Sequence, residues 1–190
     1  HIKRLTTDFG MIQFSKLNNP DLDSGYTLDD NARALIAMCQ HYQLTKNADD
    51  LVYIQTYLDF IKFCQQPDGN FLNYVDKQRL FTKQNDEVNL ADAYGRTIWA
   101  LGFAISLKSV LPSEIITEAD LIIQKALVNA AAVHSTRAMA FTIKGLFYYN
   151  TNSRKPGKIA LIRELANRLV QMFRHESDQN WRWFESYLTY

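Results

Sequence analysis

Gly25-Tyr26-Thr27-Leu28-Asp29-Asp30-Asn31-Ala32-Arg33-Ala34-Leu35 ends a polar lead-in and opens a helix. Two adjacent carboxylates, an amide and a guanidinium share that opening. Versions of the stretch return twice. Aligned on arginine, the copies read Asp29-Asp30-Asn31-Ala32-Arg33-Ala34-Leu35-Ile36-Ala37, Asp92-Ala93-Tyr94-Gly95-Arg96-Thr97-Ile98-Trp99-Ala100 and Val133-His134-Ser135-Thr136-Arg137-Ala138-Met139-Ala140-Phe141. Asp stands four residues before Arg in two copies, and a small residue precedes each Arg. The spacings are 63 and 41 residues. The longer interval contains an aromatic loop, so the basic unit is an αα-hairpin of about 40 residues, in the range of helical repeats.

Around the motifs the apolar residues keep a helical period. Helices are predicted over 29–45, 48–65, 89–108, 113–130, 134–149 and 158–175. Asp29 or Asp30 is expected to cap the first, and His134 to begin the fifth. Residues 1–28 show no helical period. Gly10, Pro20 and Gly25 mark turns in them, and Met11–Phe14 fits a short strand. The lead-in is expected to pack across one end of the helices. Residues 70–82 (Asn70-Phe-Leu-Asn-Tyr-Val-Asp-Lys-Gln-Arg-Leu-Phe-Thr82) read as a short β-hairpin or extended loop, with Asp76-Lys77 as its turn.

Helices that begin with the motif are the more apolar, and the intervening ones carry more charge. A ring of αα-hairpins has this alternation, because inner helices touch neighbours on all sides while outer ones face water. The fold class is therefore all-α, with αα-hairpins arranged as an (α/α) toroid or part of one. All inner helices run the same way, so their N-termini gather at one mouth, each with partial positive charge and unpaired N–H groups. Asp29, Asp30 and Asp92 collect there. An Asp at such a position also serves as a plain cap or ion-pair partner. The second acid of the Asp29–Asp30 pair is unique to its copy, and one of the two is expected to face the cavity.

With 190 residues, 47% of them hydrophobic and 22% charged, the chain has the size and composition of one globular domain. A net charge of +1 without like-charge blocks gives nucleic acid no footprint. Cys39 and Cys64 lie within helical patterns and read as small buried apolar residues, with no metal spacing and no disulfide framework. No run reaches the roughly 20 apolar residues of a membrane span. No cofactor or metal motif is present. The absence of an initiator Met and the uncapped ending Leu188-Thr189-Tyr190 suggest a piece of a longer chain. The compartment stays open, with a lean to the cytoplasm.

The openings Gly25-Tyr26-x-x-Asp29-Asp30-Asn31-Ala32-Arg33-Ala34-Leu35 and Asp92-Ala93-Tyr94-Gly95-Arg96-Thr97-Ile98-Trp99-Ala100-Leu101-Gly102, with the ending Trp183-Phe184-Glu185-x-Tyr187-Leu188-Thr189-Tyr190, resemble a helical domain found beside glycosyltransferases in bacterial polysaccharide proteins. That domain is similar to the six-hairpin glycosidase (α/α toroid) class, which also includes N-acylglucosamine epimerase-like proteins. The resemblance spans the whole chain. It implies one toroid-like domain over 1–190 that is an incomplete fragment, with three hairpins and the start of a fourth where a full ring has six. The partners it implies are a carbohydrate ligand and, over the open face, the rest of its own chain, a glycosyltransferase domain or a second copy.

Hydrolysis of a glycosidic bond uses two carboxyl groups, one as acid and one as base or nucleophile. The catalytic candidates are Asp29, Asp30, Asp92 and Glu185, the last set between aromatics that favour a protonated acid. Tyr26, Tyr74, Tyr94, Phe71, Trp181 and Trp183 offer stacking faces for sugars, or simply core packing. Arg33, Arg96 and Arg137 either tie helix starts together by ion pairs or hold a sugar carboxylate or phosphate. His134 is a structural hydrogen-bonder or, in an epimerase, a proton carrier. The alternatives to hydrolysis are a non-catalytic glycan-binding or scaffold domain attached to a glycosyltransferase, and a sugar epimerase.

Overall fold

The structure is a computed structural model that describes residues 1–151 and 156–180. It is all-α apart from four two-residue strands. The helices are α1 (Ile2–Leu5), α2 (Leu28–Thr45), α3 (Asp50–Cys64), α4 (Gln84–Glu87), α5 (Ala91–Ser106), α6 (Ser113–Ala126), α7 (Thr136–Thr151) and α8 (Pro156–Glu176). A 3-10 turn, Leu127–Ala132, extends α6. α2, α5 and α7 pack side by side as an inner layer, and α3, α6 and α8 form the outer one. This is the arrangement expected of part of an α/α toroid.

Burial explains the layering. α5 is buried along nearly its whole length, from Ala93 to Ile105. The fully buried Leu28, Leu35, Ile54, Leu58, Ile98, Leu101, Ile123 and Met139 join the two layers into one core. Burying each such side chain stabilises by about 1.5–3 kcal/mol. The small residue before Arg96 has a packing reason. A Cβ on Gly95 would stand 2.6 Å from the Ala138 carbonyl oxygen, so α5 and α7 meet backbone to backbone there. Gly102 and Gly145 repeat the contact farther along.

Several details differ from the sequence reading. Neither Asp29 nor Asp30 caps α2. Thr27 does, its hydroxyl accepting from the Asp30 N–H at 3.2 Å. His134 lies before α7 rather than in it, and Ser135 takes the cap position, accepting from the Ala138 N–H at 3.4 Å. The lead-in contains α1, and its first nine residues run along α3 before the chain reaches the start of α2. Lys3 pairs with Asp50 at the start of α3, Thr6 bonds Tyr57 mid-helix, and Phe9 packs on Phe60 and Phe63 near its end. Met11 and Ile12 form isolated bridges to Thr6 and Tyr26.

The loop over 70–82 is part hairpin, part extended. Asp76 turns the chain, with its backbone N–H donating to Leu80 and Val75 bridging Phe81. Its strand β4 (Tyr74–Val75) pairs antiparallel with β3 (Tyr26–Thr27), the two residues that lead into α2. The remaining strands, β1 (Ser15–Lys16) and β2 (Asn19–Pro20), form a separate ribbon. Cys39 and Cys64 are fully buried, and burial pushes the Cys39 thiol up to about 12. No helix among the described residues is long and apolar enough to cross a membrane.

Candidate functional site

Three buried asparagines build the mouth. Asn31 accepts from the Met11 N–H at 2.7 Å and donates to the carbonyls of Met11 and Thr27, tying the lead-in to α2. Asn73 takes the free N–H groups at the start of α2. Its carbonyl accepts from Leu28 at 2.8 Å and its side chain from Asp29 at 3.0 Å. Asn85 holds Asn73 in turn, accepting from the N–H groups of Asn73 and Tyr74 and donating to the carbonyls of Tyr74 and Thr82. All the hydrogen-bonding positions of that amide are used, as burial requires.

On this frame the motif acids and arginines form a ladder between neighbouring inner helices. Asp29 receives Arg33 of its own helix at 2.6 Å with one oxygen and Arg96 of α5 with the other. Asp30 receives Arg33 at 3.4 Å and the Thr27 hydroxyl at 2.7 Å. Asp92 receives the Ser135 hydroxyl at 2.9 Å and pairs with Arg137 of α7 at 3.0 Å. The rule is that the Asp of one inner helix pairs with the Arg of the next. Each of the six carboxylate oxygens faces a donor.

A stack of rings and cations continues down the same faces of α5 and α7. Arg96 lies 4.9 Å from the centre of the Phe141 ring, Phe141 stacks on Trp99 at 5.7 Å and 4°, and Lys144 sits 3.6 Å from the Trp99 centre. Such cation–π contacts contribute about 0.5–2 kcal/mol each.

The other sequence candidates separate. Tyr26 is buried on Phe9 and Phe60, with its hydroxyl on Thr7 at 3.1 Å. Tyr94 is turned to the outer layer, where its phenol donates to the Ala126 carbonyl at 2.8 Å and burial pushes its pKa up. Tyr74 is half-buried in β4. His134 is exposed on the rim of a separate cleft that Tyr94 and Phe71 also line. Trp181, Trp183 and Glu185 lie outside the described residues.

Sequence reasoning missed Asn73 and Asn85, and gave Asn31 and Ser135 no structural role. Only Thr27 left a readable signal, since Thr27-Leu28-Asp29-Asp30 has the spacing of a capping box. Among the described residues no cluster of three or more His, Cys, Asp or Glu side chains could hold a metal ion.

No protein-family model matches the chain, and no curated protein matches it. Among solved structures it is similar to a glycosyl hydrolase family 88 protein from Bacteroides vulgatus. The TM-score is 0.59 and the identity 18%, over 85% of this chain and 52% of that one. The fold is thus that of an α/α toroid or part of one. The chain spans about half the length of the structure it matches.

Proposed function

We propose that the chain forms one side of a carbohydrate-active α/α toroid whose mouth hydrolyses a glycosidic bond in a bacterial oligo- or polysaccharide. One observation carries this reading. Three inner-helix entrances converge with Asp29, Asp30 and Asp92 among them, on a fold shared with a glycosyl hydrolase family 88 protein. Cleavage needs a carboxyl that donates a proton and a carboxylate that serves as base or nucleophile. The second role falls to the mouth aspartates Asp29, Asp30 and Asp92. The acid role falls to Glu185. Arg33, Arg96 and Arg137 hold the aspartates in place.

A second reading is favoured by the same ladder. Carboxylates fully engaged by arginine and hydroxyl donors also suit a non-catalytic glycan-binding or scaffold domain attached to a glycosyltransferase. The test is to incubate the natural protein with a panel of bacterial oligosaccharides and detect products by mass. Asp29→Asn, Asp30→Asn, Asp92→Asn and Glu185→Gln are run beside it. Loss of a working acid or base lowers the rate by about a hundredfold or more. Cleavage that survives all four changes overturns the site. Binding without any product supports the scaffold reading.

A further inference from the structure

We infer that the cleft beside the ladder is a subsite for an uncharged sugar unit, next to the mouth but separate from its aspartates. This rests on the carbohydrate reading above and deepens it. The cleft encloses about 530 Å³ between the entrances of α5 and α7, the loop after α3 and the end of α6. That is the size range of small-molecule pockets, roughly 300–1,000 Å³.

Its lining decides the ligand class. No Asp, Glu, Lys or Arg side chain lines it. The polar groups are the amides of Asn70, Asn89 and Asn129, the Ser135 hydroxyl and the His134 ring, over an apolar floor that includes Phe71 and Tyr94. Each amide spends one end on the protein. Asn70 and Asn129 donate to Asp68, and Asn89 accepts from the Ala91 N–H. Among the described residues, Asn70 Oδ1, Asn129 Oδ1, Asn89 Nδ2 and the His134 ring have no hydrogen-bond partner. Paired donors and acceptors above an apolar floor match the hydroxyls and C–H face of a neutral pyranose.

The cleft is also rigidly built. Gly69 has φ +89°, and a Cβ there would stand 2.3 Å from the Lys125 carbonyl oxygen. This close approach brings the loop after α3 against the end of α6, and the Asn129 bond to the Asp68 carbonyl at 2.9 Å holds it there. Ser135 joins the two sites, since it lines the cleft and donates to Asp92. A glycan chain with one neutral unit in the cleft therefore places its neighbouring unit toward the ladder.

The test is calorimetric binding to the natural protein of cellotriose, mannotriose and triacetylchitotriose, with trigalacturonate as the acidic probe. Ala132→Trp fills the cleft from an exposed position. Asn70→Ala and His134→Ala remove exposed polar groups without touching the core. At least one neutral trisaccharide is expected to bind and to lose about tenfold or more in affinity with Ala132→Trp, equivalent to about 1.4 kcal/mol. The two alanine variants are expected to lose several-fold each, with unchanged far-UV circular dichroism. Neutral binding that is indifferent to all three variants overturns the subsite and leaves the carbohydrate reading standing. So does binding of the acidic probe alone. Failure of every probe to bind overturns the subsite together with the reading beneath it.

Discussion

Replacing Arg96 by Met tests the ladder most directly. The side chains of Arg96 and Asp29 are only 12% and 19% exposed, whereas that of Arg33 is 49% exposed. Breaking a fully buried pair by removing one partner destabilises by about 3–5 kcal/mol, because the other charge is left buried and unpaired. Asp29 keeps Arg33 when Arg96 is lost and retains some access to water, so the ion-pair part falls to about 1–2 kcal/mol. Loss of the Arg96–Phe141 contact adds about 0.5–1 kcal/mol. Met retains most of the apolar stem. The expected loss for Arg96→Met is therefore about 1.5–3 kcal/mol, or a fall in Tm of about 3–12 °C for a chain of this size. Arg33→Met, removing the exposed partner, is expected to lose less than about 1 kcal/mol. Urea unfolding followed by far-UV circular dichroism measures both. A double-mutant cycle of Arg96→Met with Asp29→Asn is expected to show coupling of about 0.5–3 kcal/mol. Equal losses for the two arginine variants, or zero coupling between Asp29 and Arg96, refute the claim that the link between inner helices holds the mouth together.

Gly95→Ala is expected to destabilise by about 1–3 kcal/mol, because the new Cβ meets the α7 backbone at Ala138 and overpacking outweighs the gain in helix propensity. Gly157→Ala in α8, where a Cβ meets nothing within 4 Å, is the control and is expected to be neutral or stabilising in the same urea titration. At the start of α3, burial raises the pKa of Asp50, but hydrogen bonds from Lys3 and His41 outweigh it and hold the carboxyl below its usual range. A depressed folded-state pKa means the stabilisation is complete above the unfolded value of about 3.9 and is lost as pH falls through the lower folded value. Urea midpoints from neutral to acid pH are expected to fall more steeply for the natural protein than for Asp50→Asn, and parallel curves would rule this out.

The sequence by itself determined the elements and their grouping. The periodicity of Ala34, Leu35, Met38 and Cys39, the three copies of the motif at Arg33, Arg96 and Arg137, and the alternation of apolar and charged helices can all be read along the chain. They were enough to place α2, α5 and α7 inside and their N-termini at one mouth. Helix ends were less legible, since Thr27, Ser135, Asp29 and Asp30 are all acceptable caps by type, and backbone geometry chose among them. Only the tertiary structure decided which partner each charge takes. The intrahelical pairing of Asp29 with Arg33 is visible from a spacing of four. Its pairing with Arg96, 67 positions away, depends on how closely α2 and α5 approach. The roles of Asn31, Asn73 and Asn85 were hidden for the same reason. An asparagine in a polar stretch looks alike whether it faces water or satisfies buried backbone, and only the packing of loop, lead-in and helix start around it settles which.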